Sequence, residues 1–109
     1  NGALMTSAAN NIDAATIAGD VTNPVGDPGT TEQFALGFDD NGTTFTIVSG
    51  YDQNVGDYKF AASTLTSIFS SAGPDASTAV DAHYLANIRP DTPAGNYATD
   101  ITYIATGTF

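Results

Sequence analysis

Apolar residues in this chain alternate with small polar ones in short runs. This period-two pattern is expected of strands that put one face in a core and the other in water. Phe34, Leu36 and Phe38 alternate with Ala35 and Gly37. Val80, Ala82, Tyr84, Ala86 and Ile88 share one face, while Asp81, His83, Leu85 and Asn87 share the other. From Arg89 to Phe109 the chain reads as a turn followed by one long strand, with Tyr97, Thr99, Ile101, Tyr103 and Ala105 on one face. Shorter runs predict strands over Thr43 to Val48 and Tyr58 to Ala62, the latter with Tyr58 and Phe60 on one face and Lys59 on the other. Residues 63–76 place Leu65, Ile68 and Phe69 at helical spacing, but the density of Ser and Thr favours a loop or a single turn.

The punctuation between these runs is specific. Asp39-Asp40-Asn41-Gly42 suits a tight turn with positive φ, which predicts a hairpin joining the Phe34–Phe38 run to Thr43–Val48. Thr22 to Thr30 carries two prolines and two glycines and reads as a loop. The short turn after Arg89 predicts that the last two long strands pair antiparallel. The fold class expected is all-β, an Ig-like antiparallel β-sandwich of about seven strands. Residues 21–109 would form the sandwich and residues 1–20 an N-terminal arm. Within the arm, Ile12, Ala14 and Thr16 fall on one face of a weak strand, and Leu4 to Ala9 would suit a helix but lacks an apolar stripe.

Composition narrows the function. The 109 residues suit one domain, and 41 % hydrophobic content is enough to build its core. Charged residues make up only 13 %, about half the usual share, with Thr, Ser, Asn and Gly supplying the polarity. Twelve acids face two bases, Lys59 and Arg89, for a net charge of -10. With no basic patch to neutralise phosphates, no nucleic-acid partner is expected. The absence of cysteine removes disulfides, thiolate metal sites and a Cys nucleophile. No apolar run approaches the roughly 20 residues of a membrane-spanning helix. Asn1 reads as a processed or trimmed start, with any targeting segment already gone.

The C-terminal half, Tyr51 to Phe109, carries a family signature. Tyr84, Ala86, Asn87 and Ile88 are followed by Thr92, Pro93, Ala94, Gly95 and Tyr97, then by Thr102, Tyr103, Ile104, Ala105, Thr106 and Phe109. This arrangement resembles a module of large secreted surface proteins of uncultivated bacteria, with its "AN(I/V)", "TPAGTY" and "LTYIATGTF" segments. More distantly, the "PAG-x-Y" turn is similar to that of bacterial Ig-like and pilus-associated surface domains. The resemblance implies an exported, extracellular β-sandwich and brings no catalytic residues with it. Physically, Pro93 and Gly95 would stiffen and tighten a turn, and Asp91 would cap it. Tyr97 would act as a tyrosine corner, its ring in the core and its hydroxyl bonded back to the turn.

The candidate chemistry is thin, so an enzyme is not expected. His83, the only histidine, falls on the face opposite Tyr84. Lys59, the only lysine, raises a Lys–Asn isopeptide crosslink with Glu32 as the promoting acid, but alternation points it outward, whereas the crosslink needs a buried amine. Asp52, Asn54 and Asp57 in one loop, and Asp39 and Asp40 in another, are oxygen-rich and would suit structural calcium. Turn formation explains both loops equally well, and Ser63 stands where a calcium-binding loop would need its bidentate Glu. Asn41-Gly42-Thr43 matches the N-glycosylation pattern, and the turn needs the same residues.

The remaining feature is assembly. A strand at a sheet edge is a liability unless covered, and a small-residue arm has little reason to be ordered alone. Ile12, Ala14 and Ile17 would form a donated strand, and Tyr97, Ile101 and Tyr103 the core that receives it. The partner would be a second copy, repeated head to tail into a filament or surface layer. Two alternatives stay open: an arm folded back as the first strand of its own sandwich, and a monomeric adhesin or carbohydrate-binding module. The latter would present Tyr51 to Asp57 to a glycan or host surface.

Overall fold

The computed structural model of the chain describes residues 4–7, 10–15, 32–42, 45–74 and 79–107. Among these the protein is all-β. Six strands form: β1 (Leu4–Ser7), β2 (Asn10–Ala14), β3 (Gln33–Asp39), β4 (Thr46–Ile47), β5 (Phe69–Ser70) and β6 (Asp81–Asn87). One 3-10 turn, Gln53–Val55, is the only helical element among the described residues. One sheet has the order β1-β2-β3-β6 and the other pairs β4 with β5.

β3 is the central strand. β6 pairs with it antiparallel along its whole length, from Gln33 opposite Asn87 to Asp39 opposite Asp81. The other edge is covered in pieces. β2 runs parallel to its start, Asp13 beside Gln33 and Ala14 beside Phe34, and the Ala15 N–H donates to the Phe34 carbonyl at 2.9 Å. Lys59 then exchanges both backbone hydrogen bonds with Leu36 at 2.9 Å, and the Phe38 N–H donates to the Tyr51 carbonyl at 2.7 Å. Both edges of β3 are therefore occupied, which meets the demand that buried backbone groups find partners.

On β3, alternation puts the side chains where the sequence pattern expects them, whereas on β6 Ala82, Tyr84 and Ala86 of the predicted apolar face are exposed and Leu85 of the other face is partly buried. Ile12, Phe34, Leu36, Phe38 and Tyr51 form the larger core, joined by Ala14, Ile47, Val48, Phe60, Ile68, Val80, Tyr97 and Ile101. On the other face of β3, Ala35 packs with Ala15, Tyr58 and Leu85. The small residues on that face let the chain approach closely. A Cβ at Gly37 would lie 2.9 Å from Tyr58 Cε1 and 3.1 Å from the Asp57 carbonyl oxygen.

Several expectations are corrected. The Asp39–Gly42 turn forms with positive φ at Asn41 (52°) and Gly42 (72°), but no hairpin follows among the described residues. The strand after it, β4, pairs with β5 in the second sheet, and β3 takes β6 instead. A turn sets the local chain reversal, whereas β6 offers β3 a seven-residue partner that the two-residue β4 cannot match. The predicted long strand after Tyr97 has no ladder: within 97–107 only Ala98 carries an isolated bridge. Residues 4–7 form a strand and not the helix that Leu4 to Ala9 would suit, and β2 breaks the all-antiparallel expectation by running parallel to β3. Finally, Tyr58 and Phe60 pack on opposite sides of the sheet, because the backbone bonds of Lys59 to Leu36 and of Phe60 to Ala15 hold a short, locally twisted segment between the two cores. Ile17 and the loop Thr22 to Thr30 lie outside the described residues.

Candidate functional site

The arm is seated in its own sheet. Ile12 is 2 % exposed and Ala15 fully buried, one on each side of the sheet, so the arm supplies part of both cores. Its hold on β3 is short: two register pairs, then Ala15 bonded to Phe34 and to the Phe60 N–H. Ala14 packs beside Ile12 as the sequence pattern expects. The residues expected to serve assembly fall into two groups among those described. Ile12 and Ala14 sit on β2, while Tyr97 and Ile101 reach the same core from the C-terminal segment.

The turn before that segment is built by several polar side chains. The Thr92 hydroxyl accepts from the Arg89 N–H at 2.8 Å and donates to the Glu32 carboxylate, tying the turn to the start of β3. The cap is therefore Thr92 and not Asp91, whose carboxylate pairs with the Arg89 guanidinium at 3.0 Å. The Tyr97 hydroxyl donates to the Pro93 carbonyl at 2.8 Å while its ring packs on the core. This is the tyrosine corner that the Pro-Ala-Gly spacing predicts.

Beyond Ala98 the contacts of the chain with the described core are made by side chains. No backbone hydrogen bond between described residues involves 99–107. Tyr103 places its ring edge-on to Phe38, with centroids 6.3 Å apart, and its hydroxyl meets that of Tyr84 at 3.0 Å. Partial burial of the ring and that hydrogen bond push the Tyr103 phenol up to about 12. A cavity of about 100 Å³ opens beside it, lined among others by Leu36, Tyr51, Phe60, Leu65, Ile68 and Ile101. Tyr84, Ile88, Tyr103 and Ile104 are all exposed. β6 stands at the end of its sheet, with β3 its only strand neighbour among the described residues.

The two acidic loops come together. Asn54 Nδ2 donates to Asp39 Oδ1 at 3.3 Å. Their carboxylates are used as turn acceptors: Asp39 for the Asn41 N–H, Asp40 for the Gly42 N–H and Asp52 for the Asn54 N–H. No group of three or more His, Asp or Glu side chains, Asp57 included, gathers as a cation cage among the described residues. Tyr51 is 3 % exposed, so the loop that follows it presents no aromatic platform, and burial raises its phenol pKa. Lys59 sits with Nζ 5.9 Å from the centre of the Tyr51 ring, a cation–π contact in place of the outward, solvated position that alternation suggests. His83 is exposed, opposite Gly37 and on the face away from Tyr84. No described helix is long and apolar enough to cross a membrane.

No protein-family model, characterised protein or solved structure matches the chain. Function is therefore argued from this geometry. Spacing along the chain does not pair Tyr84 with Tyr103. Tyr84 and Tyr103 each lie on the apolar face of their own run, which is the only signal that could have brought them together.

Proposed function

We propose that the chain is a non-enzymatic structural subunit of an extracellular filament or cell-surface layer. It is an Ig-like β-sandwich that joins copies of itself by β-strand addition. The observation that carries this reading is the seating of β2. The arm contributes the buried Ile12 and Ala15, yet among the described residues it pairs with β3 over only two positions. The connection back to β3, residues 15–32, would reach about 60 Å if fully extended. The same strand can therefore fill the same place in a neighbouring copy with every contact kept. Such an exchange, repeated head to tail, gives an open filament. The competing adhesin reading would be favoured by exposed aromatics on loops such as Tyr51 to Asp57, and Tyr51 is buried.

The natural absence of cysteine makes the test clean. Asp13 and Gln33 are register partners across β2 and β3. Asp13→Cys chains and Gln33→Cys chains are mixed, unfolded and refolded together, then oxidised. Strand exchange gives a covalent heterodimer, and the double variant gives a ladder of linked chains beside filaments in negative stain. Heterodimer absent from the mixture, with the double variant closing only within single chains, would overturn the reading.

A further inference from the structure

The C-terminal segment is fastened to the main sheet by a pair of tyrosines. Tyr84 on β6 stacks on Phe34, with centroids 6.4 Å apart and planes 18° from parallel. Tyr103 stands edge-on to Phe38. Two buried phenylalanines of one strand thus fix the two phenols, whose hydroxyls are 3.0 Å apart. Both rings remain open to reagents, at 56 % and 49 % exposure. The other described tyrosines differ: Tyr51 and Tyr58 are buried, and the Tyr97 hydroxyl is bonded to the Pro93 carbonyl.

We propose that Tyr84 and Tyr103 form a site of oxidative phenol coupling, in which a peroxidase-type oxidant joins the two rings by a carbon–carbon bond between positions ortho to the hydroxyls. Each phenol gives up one electron and one proton to become a phenoxyl radical, whose unpaired spin is shared with its ortho carbons. The two radicals pair to form the new bond, and the two ortho hydrogens shift to oxygen as the rings regain aromaticity. Two hydrogen atoms leave in all, and they reduce one hydrogen peroxide to two waters. The product staples β6 to the segment 97–107, which has no ladder to the described strands. In a chain without cysteine it fills the place a disulfide would take. The inference is independent of strand exchange, because both residues belong to one chain and neither lies on the arm.

The test treats the full chain, at high dilution, with peroxidase and hydrogen peroxide. The expected product runs as a monomer and is lighter by two hydrogens. A protease that cuts before Asp releases residues 81–90 and 100–109 as separate peptides from the untreated chain and as one linked species after coupling. The thermal midpoint of the coupled chain rises by on the order of 10 °C, from closing a loop of this length. Tyr84→Phe and Tyr103→Phe keep the rings and the fold, and each abolishes the linked species. Coupling in urea loses the selectivity. Covalent dimers without the intrachain product, a linked species surviving in either Phe variant, or equal yield from the unfolded chain would overturn the proposal.

Discussion

β3 and the segment 97–107 contribute to the same core with similar alternation, Phe34-Leu36-Phe38 in one and Tyr97-Ile101-Tyr103 in the other. Their backbones fare differently. β3 has β6 along one edge and β2, Lys59 and Tyr51 along the other. The segment 99–107 has no backbone hydrogen bond to any described residue, and its contacts with those residues are made by side chains. The difference teaches that apolar alternation recruits a segment to a core, whereas the ladder depends on which other backbone lies beside it. A segment held only by side chains is the part of a β protein best placed to open, exchange or accept a crosslink.

The contrast sharpens most directly in amide exchange. Amides of Phe34–Phe38 are expected to exchange at least about a thousandfold more slowly than those of 99–106, since the first need global unfolding and the second do not. Equal protection would show that the segment is laddered. Phe38→Ala should then break the protected side. It removes the largest fully buried side chain, at an expected cost of about 3–5 kcal/mol in a urea titration. Gly37→Ala forces a Cβ onto Tyr58 and the Asp57 carbonyl, and about 1–3 kcal/mol should be lost with the overall fold kept. If Gly37→Ala is neutral, the close approach on that face is not tight. On the weaker side, Tyr97→Phe loses only the hydroxyl bond to Pro93 and should cost about 0.5–1.5 kcal/mol.

The smallest effect is alkaline. Tyr103 in the folded chain titrates at about 12, above the ordinary phenol value of 10.0, because of burial first and then the Tyr84 hydroxyl. Folding therefore favours the protonated phenol. Its stabilising contribution is fully present below pH 10 and is lost as the pH rises toward 12. Tyr51 and Tyr58, raised by burial, act in the same direction. Stability measured across this window should fall in the native chain and fall less steeply in Tyr103→Phe. The same slope in both would remove Tyr103 from the account.

Much of the candidate site was legible only as faces. The pattern placed Ile12 and Ala14 together, set Tyr84 opposite His83, and turned Tyr97 back on Pro93. The Asp39–Gly42 turn was likewise visible, because Asn41 and Gly42 tolerate the positive φ that a tight reversal requires. The acidic loops looked like cation sites for the same reason that they make good turns: short carboxylates accept from nearby N–H groups. Spacing could not tell the two uses apart. It also could not show that Tyr51 turns inward or that Thr92 reaches Glu32 across sixty positions of sequence.

By itself, then, the sequence determined the class of structure, which side of β3 enters the larger core, and where the chain reverses. These are local properties, written in side-chain polarity and in the φ angles that Asn, Gly and Pro permit. Only the tertiary structure decided the partners: β6 and not β4 beside β3, β2 parallel to it, and Tyr103 against Tyr84 in place of a final ladder. The physical reason is that backbone N–H and C=O groups are nearly the same at every position. The choice of neighbour is therefore made by the combined packing of Ile12, Phe34, Leu36, Phe38 and Tyr51, which no single stretch of the chain contains.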